Sequence, residues 1–111
     1  MNETAAMIVI YTTFPSEDDA RKIGGDLVSQ QLAACINIFP GMVSIYRWQD
    51  AIETANETAM LVKTRKDSQE KVIEALKMRH PYTVPALIVF EPSHAAPLYL
   101  EWLCNQTAPQ R

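Results

Sequence analysis

The sequence predicts an α+β fold of the ferredoxin-like type, with element order β-α-β-β-α-β, a long hairpin between the second and third strands, and a C-terminal helix. Two observations predict it: short β-branched runs alternate with two segments of helical periodicity, and one extended stretch is much longer than an ordinary strand. With 111 residues, 48% of them hydrophobic and 21% charged, the chain fits one domain over residues 1–111, with an ordered core of about 7–104.

The first strand and the first helix are predicted on either side of Pro15. Met7–Phe14 is a β-branched and aromatic run that suits a central strand. Ser16 and Asp19 form a capping pattern at the start of a helix, and acidic residues there complement the helix dipole. Gly24 permits close approach of the helix to a sheet. Helical spacing predicts an inward face made of Ala20, Ile23, Gly24, Leu27, Val28 and Leu32.

The long hairpin follows. A strand over Ala33–Phe39 is interrupted at Pro40-Gly41, which predicts a bend or bulge rather than an end. The chain then turns near Gln49-Asp50, and strict alternation continues beyond that turn. We therefore predict a long β-hairpin over Met42–Arg65, polar in its tip region and apolar toward its base.

The second helix is predicted to begin at another capping pattern, made by Asp67 and Glu70. Its inward face contains Val72, Ile73 and Leu76. His80 precedes Pro81, and because a residue before proline avoids helical geometry, the helix is predicted to stop there.

A last strand is predicted over Ala86–Phe90, and Pro97 suits the first turn of a terminal helix. Residues available for packing on that helix are Leu98, Leu100, Trp102 and Leu103. The hairpin arms exceed the usual strand length of about 5–6 residues. Since so short a chain does not cover them and exposed edges favour aggregation, we infer an oligomer assembled through the hairpin.

Composition excludes several classes of function. Ten basic and thirteen acidic residues give a net charge of -3 without a basic run, which disfavours nucleic-acid binding. The apolar run near the N-terminus is too short for a signal or a membrane span, so we expect a cytoplasmic protein. Cys35 and Cys104 lack a CxxC spacing and are interpreted as small buried hydrophobes.

Two interpretations remain for His80. Copper and zinc sites combine imidazole, thiolate and carboxylate ligands, and the available side chains are His80, His94, Cys35, Cys104 and scattered glutamates. Alternatively, His80 caps the C-terminus of the second helix, where the dipole favours a protonated ring. Phosphate loops, nucleophile elbows and H-E-x-x-H motifs are absent from the sequence, and we expect no enzymatic activity.

Aromatic and charged residues of the hairpin suggest a second feature. Tyr46 and Trp48 point to the same face of a strand and are interpreted as core or interface residues; if exposed, they indicate an interface pocket. Glu57 and Lys63 share a face of the other arm and could complete a polar pocket, or form a surface ion pair of little energetic weight.

Four separated motifs resemble the CutA divalent-cation-tolerance family: "QLAACINIFPGMVSIYRW", "ETAMLVKT", "HPYTVP" and "YLEWL". The resemblance extends from about Ile8 to Leu103. It implies a ferredoxin-like homotrimer with hairpins pairing between subunits, as in PII-type signalling proteins, and a link to copper and other divalent cations without catalysis. It places several residues near an inter-subunit cleft: Cys35, Trp48, Glu57, Lys63, His80, Pro81 and Tyr82.

The chain also departs from the family pattern at positions where that pattern has carboxylates, amides or metal ligands: Tyr11, Arg79, Gln49-Asp50, Thr83 and Ala86. Two hypotheses follow. The first is a trimer that serves metal tolerance and binds copper or another divalent cation weakly at subunit clefts, through His80 and Cys35. The second is a PII-like signalling or interaction trimer that binds a small molecule or a protein without metal.

Overall fold

The computed structural model describes residues 6–108 as a four-stranded antiparallel sheet with helices on both faces. The predicted domain limits of 1 and 111 lie outside the described residues. Strand order is β2-β3-β1-β4, which confirms the predicted ferredoxin-like fold. The elements are β1 Met7–Phe14, α1 Glu17–Ser29, β2 Cys35–Trp48, β3 Ala51–Arg65, a 3-10 turn Lys66–Ser68, α2 Gln69–Arg79, β4 Ile88–Phe90 and α3 Pro97–Gln106.

Helix α1 begins as predicted, because the Ser16 hydroxyl accepts a 3.1 Å hydrogen bond from the backbone N–H of Asp19. Its buried residues are Ala20, Ile23, Gly24 and Leu27. The prediction for Val28 is wrong: this side chain is 40% exposed, since it is rotated about 100° from the Leu27 position on the helix. Leu32 packs against the core from beyond the helix end rather than from the helix itself.

Close approach of α1 to the sheet depends on Gly24. A Cβ atom at that position would lie 2.9 Å from Cγ2 of Ile36 and 3.1 Å from Sδ of Met60. These distances are shorter than ordinary carbon contacts, so the helix could not sit this close with a larger residue. The predicted role of Gly24 is confirmed.

The hairpin contains the predicted bulge. Between the pairs Phe39–Ala59 and Met42–Glu57 the register shifts, with one more residue in β2 than in β3, and Gly41 has a φ of +78°. The extra residue reverses the alternation along β2, because side chains repeat with period two. As a result, Met42 and the even-numbered residues that follow share a face with Glu57.

The tip of the hairpin differs from the prediction. A two-residue turn at Gln49 and Asp50, both with positive φ, joins the arms. The expected polar tip is wrong, because the chain exposes 59% of Val43, 71% of Ile45 and 67% of Ile52 there. These apolar side chains lie on the part of the hairpin beyond β1, which pairs with β3 only over Thr58–Arg65. The described residues span 51 × 26 × 22 Å, and the long dimension reflects this projection.

The two faces of the sheet have separate apolar clusters. Helices α1 and α2 cover one face, where the core contains the side chains of Ile8, Ile10, Phe14, Met60, Val62, Val72 and Leu76. Helix α3 covers the base of the opposite face, where Leu103 packs with Met7 and Val9. We refer to these surfaces as the α1/α2 face and the α3 face. Within residues 6–108, no helix combines the length and apolar character needed to cross a membrane.

The second half of the chain departs from the prediction at two element ends. Asp67 does not cap α2; it lies in the 3-10 turn, and Ser68 occupies the cap position without a side-chain hydrogen bond. The last strand is Ile88–Phe90 instead of Ala86–Phe90, because its pairing with β1 is limited to residues 9–11 of that strand. The predicted stop at His80 is confirmed, since its backbone is extended.

Helix α3 begins at Pro97 as predicted. Of the residues proposed for packing, Leu103 is fully buried and Leu100 packs beside it, whereas Leu98 and Trp102 are exposed. The guanidinium of Arg65 donates to the carbonyl oxygen of Cys104 at 2.8 Å and to Oγ1 of Thr107 at 2.9 Å. This pair of bonds ties the end of α3 to β3.

Candidate functional site

A pocket lies on the α3 face beyond the end of β1, where the hairpin projects and the loop after α2 returns toward the sheet. Its volume is about 460 Å³. We call it the hairpin pocket, defined by Thr13, Tyr46, Trp48, Glu57, Tyr82, Thr83, Val84 and Ala86. Three separate parts of the chain therefore form it: β1, both arms of the hairpin and the proline-flanked loop.

Glu57 is the carboxylate of this pocket. The Tyr82 hydroxyl donates a 2.6 Å hydrogen bond to its Oε2 atom, and the side chains of Ser44 and Thr13 also hydrogen-bond to it. Burial raises the pKa of Glu57, but these three hydrogen bonds outweigh burial and the pKa lies below its usual value. Glu57 is thus ionised at neutral pH.

Tyr82 is the partner that stays protonated. Burial and the hydrogen bond to Glu57 raise the pKa of the Tyr82 phenol well above its ordinary value of 10.0. The phenol is therefore a permanent donor at physiological pH, and the pair carries one negative charge.

Two further aromatic rings, Tyr46 and Trp48, form the hairpin wall of the pocket. The bulge places both on the face of Glu57, and they are 44% and 55% exposed. The interpretation of these rings as core residues is therefore wrong, and their role at a subunit interface stays a prediction. Neither ring belongs to the apolar core of this subunit.

The imidazole of His80 adjoins the pocket but points into the protein. Its Nδ1 atom accepts the backbone N–H of Tyr82 at 3.1 Å. The proton of the neutral ring must then be on Nε2, which donates to Oγ1 of Thr12 at 3.0 Å. The ring also stacks on Phe14, with centroids 4.5 Å apart.

This environment overturns the helix-cap interpretation of the His80 side chain. The ring bonds no carbonyl among those at the end of α2; only the backbone N–H of His80 does so, to Leu76. Burial lowers the pKa of His80 below its usual value, and the opposing effects of Thr13 and Asp19 do not compensate. The ring is neutral, whereas the cap interpretation favoured a protonated one.

Cys35 and Lys63 lie far from this pocket. They pair with each other at the base of the hairpin on the α3 face, and the Lys63 ammonium lies 5.7 Å from the centroid of the Tyr99 ring. Lys63 lies six positions along β3 from Glu57, a distance of roughly 20 Å. The shared face of Lys63 and Glu57 is confirmed, but a common pocket is wrong within one subunit.

Cys35 and His80 also lie apart. The His80 ring contacts Thr12 and Phe14, whose side chains belong to the α1/α2 face, whereas Cys35 belongs to the α3 face. Within residues 6–108, no three histidine, cysteine, aspartate or glutamate side chains converge as metal ligands. Ligation by His80 or Cys35 therefore stays a prediction, because the described part of one subunit does not supply a set of ligands.

The positions that depart from the family pattern have different surroundings. Thr83 and Ala86 line the hairpin pocket. The Tyr11 hydroxyl contacts Sδ of Met42 at 3.7 Å. Arg79 lies 3.5 Å from the Asp26 carboxylate on α1, so it points away from the pocket. Only the first two of these departures alter the lining of the pocket.

Sequence reasoning missed Thr13 and Ser44, the two hydroxyl partners of Glu57. They lie in β1 and in the arm of β2 beyond the bulge, and no motif joins them. The bulge offers the one sequence signal, because Pro40-Gly41 fixes which residues of β2 face Glu57.

Comparison with known proteins connects this architecture to a family. Residues 8–106 match the model of the family described as CutA1 divalent ion tolerance protein. The divalent-cation tolerance protein CutA of Thermus thermophilus is 43% identical over 99 residues, which are 89% of this chain and 96% of that protein.

Similarity extends to plant proteins. The chloroplastic protein CutA of Arabidopsis thaliana is 35% identical over 106 residues, which are 96% of this chain but 58% of that protein; the chain thus spans little more than half of it. The crystal structure of CutA1 from Oryza sativa superposes with a TM-score of 0.92 at 35% identity, over 97% of this chain and 100% of that one.

Proposed function

Because the chain belongs to the CutA1 divalent ion tolerance family, we propose that it serves tolerance of divalent metal ions, copper included, as a homotrimer and without catalysis. Relatives are named for divalent-cation tolerance rather than for a reaction. A cytoplasmic location stays a prediction, since the Arabidopsis relative is named as chloroplastic.

One observation supports assembly into a homotrimer: the hairpin exposes apolar side chains on both faces, and its strand β2 is a long unpaired edge of the sheet. Strand β2 has 14 residues and forms an edge of the sheet. Val43, Ile45 and Ile52 are exposed on the part of the hairpin that lies beyond β1, and Phe39 is exposed on the α3 face. A monomer with such an edge is prone to aggregate, and pairing with further copies buries it.

Cation binding is the second part of the proposal, at clefts between subunits around His80 and Cys35. One subunit brings a single imidazole whose two nitrogens already have partners, so a cation must take other ligands from a neighbouring subunit. Displacement of the Tyr82 N–H or of Thr12 opposes ligation, and the resulting binding is weak.

A second function has support from the same geometry: a PII-like signalling or interaction trimer that binds a small molecule or protein without metal. Both His80 nitrogens are satisfied within the chain, and the neighbouring pocket is aromatic with a single carboxylate. Such a lining suits an organic ligand better than a bare metal ion.

Sedimentation equilibrium tests the trimer. The wild-type protein should have three times the 12.5 kDa subunit mass. The double variant Ile45→Glu/Ile52→Glu should dissociate, because it places charges on the apolar tip of the hairpin. Met78→Glu is the matched control, since it adds a charge at an exposed apolar residue of α2. A monomeric wild-type protein contradicts the proposal.

Calorimetric titration with Cu(II) tests cation binding. His80→Ala should weaken binding, whereas His94→Ala, a histidine in the exposed loop before α3, should leave it unchanged. Equal binding by wild type and His80→Ala removes His80 from the site. A trimer that binds no copper at all supports the signalling function instead.

A further inference from the structure

The hairpin pocket carries a negative charge, and this charge determines which class of ligand it can bind. Glu57 is the carboxylate in its lining, and the side chains of Lys, Arg and His are absent from the lining described above. Hydrogen bonds from Tyr82, Ser44 and Thr13 keep Glu57 ionised. An anion would meet a negative charge without a counter-ion, so the pocket favours a cation or a neutral molecule.

The aromatic rings of the pocket further restrict the kind of ligand that it can bind. Tyr46, Trp48 and Tyr82 line the same cavity, and the negative faces of such rings attract cations, tryptophan most strongly. Val84 and Ala86 contribute apolar surface from the loop. The lining therefore matches a molecule that carries both a positive charge and hydrocarbon groups.

A divalent metal ion fits this lining poorly. Calcium and magnesium take six or more oxygen ligands, and copper and zinc prefer several nitrogen or sulfur ligands. The lining offers a single carboxylate, and its oxygens already accept the Tyr82 hydroxyl and two other hydrogen bonds. Removing a hydrated metal from water is costly, whereas an alkylammonium ion loses little hydration against aromatic rings.

We propose that the hairpin pocket binds a small organic cation, with its ammonium group against Glu57 and its alkyl groups against Tyr46, Trp48 and Tyr82. This inference goes beyond the metal function and does not depend on it, because neither His80 nor Cys35 belongs to the lining of the pocket. It assigns to Glu57 the selection of charge and to the aromatic rings the selection of alkylated ammonium groups.

Choline is the probe, because it combines a trimethylammonium group with a small neutral alcohol. The control ligand is its neutral isostere, in which a tert-butyl group replaces the trimethylammonium group. The chain contains two tryptophans, so a Trp102→Phe background on α3 leaves Trp48 as the fluorescent reporter. Both ligands are titrated into the full chain in its native assembly, at constant ionic strength maintained with sodium chloride.

We expect choline to change Trp48 fluorescence saturably in the millimolar range or below, and the neutral isostere to bind much more weakly. Glu57→Gln should weaken choline binding on the order of tenfold, because the partly shielded charge is lost. Tyr46→Leu should weaken it about threefold through loss of one aromatic face. Glu74→Gln, at an exposed position of α2, makes the same charge change away from the pocket and should leave choline binding unchanged.

Equal binding of choline and its neutral isostere overturns the proposal, since the pocket would then be merely apolar. The proposal also fails if Glu57→Gln and Glu74→Gln bind choline equally, or if choline produces no saturable change up to millimolar concentrations. These outcomes require no copper titration, so failure here is distinguishable from failure of the metal function.

Discussion

The phenol of Tyr82 donates a 2.6 Å hydrogen bond to the Glu57 carboxylate, and this contact joins the loop after α2 to the projecting hairpin. The two residues are 25 positions apart in the chain. Three observations depend on them: the low pKa of Glu57, the position of the proline-flanked loop, and the negative charge of the pocket.

Tyr82→Phe should raise the pKa of Glu57 and reduce the free energy of unfolding by about 1 kcal/mol, because one hydrogen bond to a partly exposed carboxylate is lost. The pKa can be followed by NMR titration of the Glu57 side chain, and stability by urea unfolding. Tyr99→Phe is the control, since it keeps a ring beside Lys63 and leaves Glu57 untouched. An unchanged Glu57 pKa in Tyr82→Phe would show that Ser44 and Thr13 suffice.

Stability should fall as the pH decreases through the titration range of His80. Its folded-state pKa lies below the unfolded value of 6.5, so the unfolded state binds more protons in that range. The contribution of the neutral ring is therefore present above 6.5 and is lost as the solution is acidified below it. Glu57 contributes in a separate, lower window, lost below its ordinary pKa of 4.5.

Urea unfolding at fixed protein concentration, measured at neutral and mildly acidic pH, checks this expectation. His80→Gln should be less stable than wild type at neutral pH and should show a flatter pH dependence across the upper window. His94→Gln keeps the ring of His80 and should follow the wild-type curve. Identical slopes for His80→Gln and wild type would contradict the assignment.

Gly24 and Gly25 form a natural pair for testing helix–sheet contact. Gly24→Ala should destabilise the fold by about 1–3 kcal/mol, since its Cβ meets Ile36 and Met60. A Cβ atom at Gly25 would have no atom within 4 Å. Gly25→Ala should therefore increase the free energy of unfolding by up to about 1 kcal/mol, because alanine has the higher helix propensity. Thermal and urea unfolding of both variants give the answer. Equal effects of the two substitutions would mean that the contact at Gly24 relaxes without cost.

Arg65→Met should loosen the end of α3, because the bonds to the Cys104 carbonyl and the Thr107 hydroxyl are lost. We expect a loss of about 1–2 kcal/mol in unfolding free energy and faster amide exchange at the last turn of α3. Lys66→Met removes the exposed ion pair with Glu91 and should change stability by less than about 1 kcal/mol. Unchanged exchange in Arg65→Met would show that apolar packing alone holds α3.

Local signals predicted the elements well. Ser16 caps α1, Gly24 meets the sheet, the bulge lies at Pro40-Gly41, and His80 ends α2, each as expected from chemistry within a few residues. Predictions failed where a distant partner decides the outcome. Ala86 was expected in the last strand, but it lies outside that strand and lines the hairpin pocket, and no signal within residues 86–90 indicates this.

The candidate site residues show the same difference between local signals and distant partners. The sequence, through its motifs, named Trp48, Glu57 and Tyr82, and the structure brings these three to one pocket. Lys63 and Cys35 were grouped with them, but they lie at the other end of the hairpin. The spacing of residues along one strand predicts which of them share a face of the sheet. It does not predict which side chains lie next to them, because those side chains come from loops and from other strands.

The sequence by itself determined the order of elements, the hairpin and the stop at His80, since periodicity, capping and proline geometry act over a few residues. Tertiary structure decided the state of His80 and the charge of the pocket. Whether an imidazole is protonated, or a carboxylate stays ionised, depends on burial and on hydrogen-bond partners from distant segments: Thr12 and Phe14 for His80, and Thr13, Ser44 and Tyr82 for Glu57.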